Sequence, residues 1–436
     1  MKKYESYNDS RIEWIGEIPS HWEVKKLKYV SSINDDTLSD TTEDEFEIEY
    51  ADISSIESGV GITKTDHFTF KEAPSRARRL VKDGDVIVST VRTYLKAIAK
   101  VKNPKPNLVV STGFAVVRPK DIVSEYAGHL FFHENLLGEI VSRSVGVSYP
   151  AINSSEIGSI KIPLPKSKEQ TAIAHYLDRK TAEVDGLIAD KKRLLKLYEE
   201  EKSATINQAV TKGVNPDIPM KDSGIEWLGE IPEHCDTASF NHYVFLRHGY
   251  QFRNYDFTST GLKVIKITQL KATGELEVND VSFIDESRLN EFKDILIEEG
   301  DILMALTGGT IGKIIRAPKI NEPLLQNYRV GNFFSKNDSI TKDFLFWVLS
   351  SDLILKQIFF DQRETGQPNI GKEDFGRMFL ILPNKIEEQD EIVSFIKNEV
   401  ERINAKKAKT EKLIDLLTEY RTALISEVVT GKVKVI

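Results

Sequence analysis

The segment DSRIEWIGEIPSH at residues 9–21 returns almost unchanged as DSGIEWLGEIPEH at residues 222–234. Ten of the thirteen positions are identical, which indicates a duplication inside the chain rather than chance. Two more pairs of segments follow in the same order: residues 84–100 match 300–316, and residues 149–165 match 367–383. The offset between the copies grows only from 213 to 219 along the chain. The sequence therefore predicts two copies of one unit, at about 1–213 and 214–436, that differ by short loop insertions.

Length and composition agree with two globular copies in a soluble protein. The chain has 436 residues, of which 40% are hydrophobic and 29% are charged. A single cysteine, Cys235, excludes an internal disulfide, and no apolar stretch is long enough for a signal peptide or a membrane span. We therefore expect a cytoplasmic protein without a membrane partner.

The first 160 or so residues of each half alternate between short β-rich runs and helical patches. Gly, Pro, Asn and Asp separate the runs, and the patches have apolar residues at spacings of three and four. Each half therefore begins with a mixed α/β globule. The predicted strands are Asp85–Ser89, Leu108–Arg118, Lys263–Thr268 and Asp301–Leu306, and the predicted helical patches are Ala127–Val141 and Thr341–Phe360.

Beyond Pro165 and Pro383 the chain loses almost all Gly and Pro, and its apolar residues repeat at heptad spacing among Lys and Glu. This pattern predicts two helices of about 40 residues, each about 60 Å long. Because the duplication makes the two apolar stripes equivalent, we expect the helices to pair in an antiparallel coiled coil. The alternative is that each helix lies on its own globule. The first stripe runs from Ile173 and Leu177 to Ala209, and the second from Ile392 and Ile396 to Val428.

The predicted fold class is α/β, with mixed α+β globular domains in tandem, two long antiparallel coiled-coil helices and a pseudo-twofold internal repeat. The predicted boundaries are 1–165 for the first domain, 166–213 for the first helix, 214–383 for the second domain and 384–436 for the second helix.

The sequence contains no recognisable catalytic constellation. It lacks a dinucleotide fingerprint, a nucleophile elbow and the target-base box of an amino-methyltransferase, and the eight His do not show zinc-ligand spacing. The segment LTGGTIGKI at 306–314 resembles a phosphate-binding loop, but it is one residue short and has Ile314 where Ser or Thr would hold magnesium. We therefore expect no catalytic residue, metal or cofactor in this chain.

Basic and amide side chains are concentrated in the Gly-containing loops of the globules. Arg, Gln and Asn can form paired hydrogen bonds with base edges, whereas Lys and backbone amides position a protein on phosphate. The alternative for each residue is an ordinary solvated surface group. The candidate DNA-binding residues are Arg76, Arg78, Arg92, Thr93, Tyr94, Lys96, Arg143, Tyr149, Arg247, Tyr250, Gln251, Arg253, Lys266, Gln269, Thr307, Lys313, Asn327, Arg329, Arg363, Gln367 and Asn369.

The formal charge of −8 argues against a uniformly DNA-binding surface. The charge is unevenly distributed, however. Residues 31–60 carry −10 and residues 272–301 carry −8, so the rest of the chain carries +10. We expect the two acidic segments to face away from DNA or toward protein partners.

The repeated motifs together resemble the specificity subunit of type I restriction-modification systems, over the whole length of the chain. Each half has an opening motif, a Gly-Asp pair in mid-domain, and a proline-bounded strand before the long helix. The halves differ where Cys235 replaces Trp22 and where Ile381 replaces Pro163. The motifs are Trp14–Pro19 and Trp227–Pro232, Gly84-Asp85 and Gly300-Asp301, Pro163-Leu164-Pro165 with Glu169-Gln170, and Ile381-Leu382-Pro383 with Glu388-Gln389.

This resemblance implies a non-catalytic subunit that binds double-stranded DNA. Each globule would be a target recognition domain for one half of a split, asymmetric site, and the helices would set the spacing. The helices would also dock two methyltransferase subunits and, through the complex, the restriction-translocation subunits. S-adenosylmethionine, ATP and Mg would be bound by those partners. The residues chosen for partner docking are Leu177, Leu194, Ile396 and Leu413.

Two other classes of function remain open from the sequence alone. The chain could be a free-standing DNA-modifying enzyme, or it could be a coiled-coil adaptor that does not bind DNA. In the adaptor hypothesis the opening motif is purely structural, with Trp14 and Trp227 as core anchors and Pro19 and Pro232 as turn formers.

Overall fold

The computed structural model describes residues 2–57, 60–271, 273–360 and 369–435. The chain divides into two compact units. We call Met1–Lys192 together with Glu411–Ile436 unit 1, and Arg193–Thr410 unit 2. No helix among the described residues is both long and apolar enough to cross a bilayer.

The strands of unit 1 are β1 Tyr7–Asp9, β2 Glu17–Pro19, β3 Glu23–Lys26, β4 Ser31–Ile33, β5 Glu47–Ala51, β6 Ile56–Glu57, β7 Gly61–Ile62, β8 Asp66–Thr69, β9 Ala77–Leu80, β10 Val86–Ser89, β11 Ile98–Lys100, β12 Leu108–Ser111, β13 Phe114–Pro119 and β14 Lys161–Leu164. Four of them form an antiparallel sheet in the order β11-β10-β13-β4, and four others form a second sheet in the order β8-β5-β12-β9. In the second sheet β5 and β12 are parallel. The helices of unit 1 are α1 Ser124–Phe131, α2 Glu134–Ser142, α3 Ser154–Ser159, the first part of α4 Ser167–Lys212 and the last part of α9 Ile386–Val429.

The strands of unit 2 are β15 Met220–Asp222, β16 Glu230–Pro232, β17 Asp236–Ser239, β18 Val244–His248, β19 Phe257–Thr258, β20 Leu262–Ile265, β21 Ser282–Ile284, β22 Ile302–Ala305, β23 Ile314–Arg316, β24 Leu324–Gln326, β25 Val330–Ser335 and β26 Phe379–Leu382. They repeat the arrangement of unit 1, with one sheet in the order β18-β25-β22-β23 and another in the order β19-β21-β20-β24. Strands β20 and β24 are parallel, as β5 and β12 are in unit 1. The helices of unit 2 are the last part of α4, α5 Phe240–Tyr243, α6 Lys342–Leu349, α7 Asp352–Phe360, α8 Lys372–Arg377 and the first part of α9.

The prediction of mixed α/β globules is confirmed in both units. The predicted strand Leu108–Arg118 is divided by a turn at residues 112–113, and each predicted helical patch is divided into two helices. The breaks occur at residues 132–133 and 350–351, and both His133 and Ser351 are buried. Apolar spacing continues across such a break, so periodicity alone cannot locate it.

The repeated Gly-Asp pair makes the turn into the central strand of each first sheet. Gly84 and Gly300 have φ angles of 85° and 79°, a backbone region that favours glycine. The next side chain, Asp85, accepts a hydrogen bond from Lys82 N at 2.8 Å, and Asp301 accepts one from Glu298 N at 3.0 Å. The motif is therefore structural in both copies.

The long helices contribute their apolar stripes to the core of the unit in which each part lies. In unit 1, Leu177 of α4 and Leu424 of α9 belong to one buried cluster, and Arg421 forms an ion pair with Asp185 at 2.8 Å. In unit 2, Ile206 of α4 and Ile396 of α9 belong to one cluster. Arg402 and Glu201 pair there at 2.7 Å, and Lys407 pairs with Glu199.

His133 begins α2 and should make the stability of unit 1 depend on pH. Its Nδ1 accepts hydrogen bonds from Asn135 N and Leu136 N, so Nε2 carries the proton and donates to Ser426 Oγ at 2.9 Å. Burial, aided by the charge of Lys432, lowers the pKa of His133 to about 4.

Because the unfolded chain binds this proton near pH 6.5, stability should be fully present above that pH and fall by about 3 kcal/mol as the pH drops to about 4. Urea unfolding across this range measures the loss. His133→Asn, which cannot titrate, should flatten that part of the profile, and an unchanged slope would contradict the assignment.

Candidate nucleic-acid interface

In unit 1, backbone hydrogen bonds gather four loops at one end of the sheets. Thr90 N donates to Gly113 O at 2.8 Å, and Ile152 N donates to Thr90 O at 2.9 Å. Thr112 N donates to Arg76 O at 2.8 Å. Residues far apart in sequence are thereby held side by side. We call the exposed side chains on these loops the unit-1 loop surface, and they are Arg76, Arg92, Tyr94, Lys96 and Tyr149.

Arg92 and Lys96 of this surface have left-handed backbone conformations, with φ angles of 48° and 51°. They flank a short 3-10 turn, Thr93–Leu95, that presents Tyr94 to solvent. Non-glycine residues in this region cost conformational free energy and are concentrated at functional sites. The Arg92 guanidinium lies 4.9 Å from the centre of the Tyr149 ring, which orients it without using its hydrogen-bond donors.

The loop that carries Tyr149 projects apolar side chains into solvent. Val145 N donates to Ala151 O at 2.8 Å, and Ala151 N donates back to Val145 O at 3.0 Å, so the loop is closed at its base. Val147 at the tip is fully exposed, and Tyr149 is 66% exposed. An aromatic ring and an apolar tip beside a guanidinium suit contact with the edges and methyl groups of bases. Sequence reasoning missed Val145 and Val147, because exposed valine has no signature in a single sequence.

In unit 2 the equivalent backbone positions are joined in the same way. Ile370 N donates to Leu306 O at 2.9 Å, as Ile152 N does to Thr90 O in unit 1. The bridge between Thr307 and Asn369 likewise matches the bridge between residues 91 and 151. These equivalences agree with the offsets of 216 and 218 read from the repeat.

Two further backbone bonds complete this end of unit 2. Leu306 N donates to Arg329 O at 2.9 Å, and Tyr328 N donates to Tyr250 O at 3.0 Å. Gly249 permits the second approach, because a Cβ at that position would lie 2.0 Å from the Gln326 carbonyl oxygen. We call the exposed side chains here the unit-2 loop surface, and they are Tyr250, Gln251, Arg253, Arg329 and Asn369.

The two loop surfaces share a backbone frame and differ in side chains. Arg329 donates from Nε to the Tyr328 hydroxyl at 2.6 Å and lies 5.3 Å from that ring, so it is oriented by an aromatic neighbour as Arg92 is. In unit 2 the neighbouring ring belongs to the adjacent residue Tyr328, two residues after the end of strand β24, and does not stand on a separate loop. The two surfaces therefore present different sets of hydrogen-bond donors and aromatic groups to solvent.

Three of the candidate residues in unit 1 have internal contacts. Thr93 is buried, with its hydroxyl 2.7 Å from Ser144 Oγ. Arg143 pairs with Glu139 and donates to Ser159 Oγ at 2.8 Å. Arg78 lies 4.6 Å from the Phe70 ring and donates to its neighbour's carbonyl. In the structure these three side chains support the loops rather than project from them.

Several candidates in unit 2 are also used inside the fold. Arg247 donates to Leu296 O at 2.8 Å and to Gln326, and burial lowers the pKa of its guanidinium. Gln269 is buried and donates to Asp280 O at 2.6 Å. Asn327 is buried and accepts from Arg329 N at 3.2 Å. Lys266 donates to Ser282 Oγ at 2.7 Å.

Of the remaining candidates, Thr307 and Lys313 are half-buried on the loop between β22 and β23. Arg363 and Gln367 lie outside the described residues.

The four residues predicted to dock partner subunits fall into two groups by their burial. Leu177 and Ile396 are fully buried in the cores of units 1 and 2, so they offer no docking surface in this structure and the expectation is corrected for them. Leu194 is half-buried and Leu413 is 40% exposed. Heptad spacing identifies all four residues as part of an apolar stripe. It does not show which part of that stripe is buried against the globule.

One cluster of possible metal ligands was not expected from the sequence. His234, Cys235 and Glu388 have ligand atoms within 4.8 Å of one another, and burial raises the pKa of the Cys235 thiol to about 12. The same His-Glu pair occurs in unit 1 between His21 and Glu169, where Trp22 stands in place of the cysteine. The pair therefore forms without a third ligand, and the cluster is explained as structural.

Comparison with known proteins finds similar proteins over the whole length of the chain. Residues 19–197 and 248–414 both match the type I restriction modification DNA specificity domain. The chain is 29% identical over 297 residues to the MjaVIII specificity subunit of a type I restriction enzyme of Methanocaldococcus jannaschii, covering 67% of each protein. It is 24% identical to the MjaIX specificity subunit of the same organism, covering 100% of this chain and 99% of that one.

Solved structures agree at the level of the fold. One is a chain from work on complex assembly and conformational transition of the type I R-M system, with a TM-score of 0.71, 19% identity, and coverage of 95% of this chain and 99% of that chain. The HsdS subunit from Thermoanaerobacter tengcongensis gives a TM-score of 0.54 and 21% identity, with coverage of 95% and 98%. The structure is that of a duplicated α/β protein with an equivalent loop surface on each copy. The chain belongs to the family of type I restriction-modification DNA specificity subunits.

Proposed function

We propose that the unit-1 loop surface reads one half of a split, asymmetric DNA site and that the unit-2 loop surface reads the other half. The observation that carries this proposal is the pair of equivalent loop surfaces on one repeated backbone frame, with different side chains on each. Arg92 and Arg329 are the central readers, since each is exposed and oriented by an aromatic ring. Arg pairs with guanine through two hydrogen bonds in the major groove, and Lys96 and Arg76 would contact phosphate.

The proposed recognition domains are residues 1–165 and 214–383, and the proposed spacers are residues 166–213 and 384–436. The ion pair of Asp185 with Arg421 in unit 1 and that of Glu201 with Arg402 in unit 2 support an antiparallel coiled coil, because the residue number rises on one helix as it falls on the other. Two such helices would hold the readers a fixed distance apart, so that unread base pairs separate the half-sites.

The chain is non-catalytic in this account, and the chemistry belongs to its partners. Two methyltransferase subunits would dock on the spacer helices and supply S-adenosylmethionine, and the restriction-translocation subunits would bring ATP and Mg. We assign this docking to exposed leucines of the helices, which would bury apolar surface against a partner. They are Leu187, Leu197, Leu413 and Leu416.

The test is selection from a random DNA library by the complex of this chain with its methyltransferase subunits. We expect a split and asymmetric consensus. A complex that enriches no sequence would support the adaptor hypothesis and overturn the reader. The chain alone, given methyl donor and DNA, should transfer no methyl groups, and transfer without any partner would show a free-standing enzyme.

A further inference from the structure

Each long helix begins with a Glu-Gln pair whose side chains point back into the globule. Glu169 and Gln170 are buried in the first turn of α4, and Gln389 is completely buried in the first turn of α9. Glu388, beside Gln389, has a side chain that is 20% exposed. Buried polar side chains at equivalent positions of both copies must be satisfied by specific partners.

The two glutamates bind the last residue of the repeated opening motif. His21 donates from Nε2 to Glu169 at 2.9 Å, and His234 donates from Nε2 to Glu388 at 2.8 Å. The contacts span 148 and 154 residues of chain. The start of each domain is therefore fastened to the start of the helix that follows it.

The two glutamines bind the backbone of the domain. Gln170 donates to Pro165 O at 2.8 Å and accepts from Val123 N, the residue before α1, at 2.7 Å. Gln389 accepts from Thr341 N, the residue before α6, at 2.9 Å, and it also donates to backbone carbonyls. Each glutamine thereby joins a short helix of the globule to the long helix.

These contacts add directional restraints on the helix to the packing of its apolar residues. The neighbouring apolar residues, Ile173 and Leu177 in α4, pack by burial, which is non-directional. Hydrogen bonds weaken steeply away from their preferred angle. A helix of 46 residues is about 69 Å long, so a tilt of about 5° at its first turn moves its far end by about 6 Å. That is more than the roughly 3.4 Å between successive base pairs.

We call the residues of the His-Glu contacts and the two glutamines the clasp, and they are His21, Glu169, Gln170, His234, Glu388 and Gln389. We infer that the clasp residues are positioning residues, which determine the spacer length that is accepted between the half-sites. The inference rests on the proposed function, because it needs two readers joined by the helices. The clasp touches no DNA in this account. Its effect is on the distance between the readers and not on the bases that each one prefers.

The experiment uses the partner-loaded complex and a DNA library in which the selected half-sites are fixed and the spacer varies by up to about three base pairs either way. The wild-type chain should enrich one length. The double variant His21→Ala with His234→Ala should enrich neighbouring lengths as well. We expect the ratio of the best length to the next to fall about tenfold. The variant loses two charge-assisted hydrogen bonds, and only part of their free energy distinguishes one spacer length from the next. The base preferences inside each half-site should not change.

The matched control is Glu183→Gln, which removes an exposed ion pair with Lys180 on the same helix and should leave spacer selection unchanged. If the histidine variant is poorly folded, Glu169→Gln with Glu388→Gln keeps the shape of the side chains and is expected to relax spacing to a smaller extent. A folded clasp variant with the wild-type spacer distribution would overturn the inference, as would equal erosion of spacing and base preference. A wild-type complex without a split consensus would instead defeat the proposed function.

Discussion

Replacing Arg92 by alanine is expected to remove discrimination at one half-site and leave the other half-site intact. Arg92 is exposed, has a left-handed backbone conformation and lies against the ring of Tyr149, so its donors are directed to solvent from a fixed position. One bidentate base contact is worth about 1–3 kcal/mol of discrimination. Competition binding of the partner-loaded complex to sites with single base changes would measure the loss, which should appear at one or two adjacent positions.

Arg179→Ala is the matched control for this substitution. Arg179 has the same charge, but its side chain is 66% exposed on helix α4 and is not part of the unit-1 loop surface. The control should change affinity through charge alone and leave the base preferences as they are. If Arg92→Ala weakened both half-sites equally, the residue would have a structural or purely electrostatic role.

Replacing Arg118 by methionine is expected to destabilise unit 1 by about 3–5 kcal/mol, the cost of breaking a buried ion pair from one side. Arg118 makes two hydrogen bonds with Asp85, at 2.9 and 2.7 Å, and a third with Asp36 at 2.6 Å. The Asp85 side chain is 2% exposed. These carboxylates raise the pKa of the Arg118 guanidinium, and without it Asp85 would be buried without its cation. Urea unfolding at neutral pH measures the change.

Lys180→Met provides the comparison for an exposed ion pair. Lys180 pairs with Glu183 at 2.6 Å, and both side chains are at least one-third exposed. Exposed pairs contribute about 0–1 kcal/mol, so this variant should unfold close to the wild-type midpoint. Equal losses in the two variants would mean that burial does not set the cost. The Asp85→Asn variant should restore part of the loss when combined with Arg118→Met, because it removes the unpaired charge.

Much of the fold could be predicted because the sequence contains an internal duplication. The repeated segments predicted two copies of one unit, at about 1–213 and 214–436, and the loss of Gly and Pro after Pro165 and Pro383 marked helices that begin at Ser167 and Ile386. The two compact units of the structure have different bounds, 1–192 with 411–436 and 193–410. The breaks inside the helical patches could not be predicted, since they depend on buried contacts such as that of His133 with Ser426. The participation of residues 411–436 in unit 1 likewise depends on contacts distant in sequence.

The candidate site could be predicted by region but not by residue. Arg92 and Gln269 both stand in polar loops, yet Arg92 is exposed while Gln269 is buried against the Asp280 carbonyl. The donors that suit a base edge also suit a backbone carbonyl, so residue type alone does not separate reading from support. The prediction for the individual DNA contacts therefore stays a prediction.

Ion pairs within unit 1 neutralise part of the negative charge of the acidic segment at residues 31–60. Asp36 pairs with Lys82 and Arg118, Glu49 pairs with Lys105, and Asp44 pairs with Lys71, so cations from elsewhere in unit 1 offset several of its acids. Whether the segment faces partners stays a prediction.

The most direct test of the two-reader account compares the DNA selected by three partner-loaded complexes, carrying the wild-type chain, Arg92→Ala and Arg329→Ala. We expect a split wild-type consensus in which each variant loses base preference in a different half and keeps the other half unchanged. Loss of the same positions in both variants, or loss across both halves in either one, would contradict it.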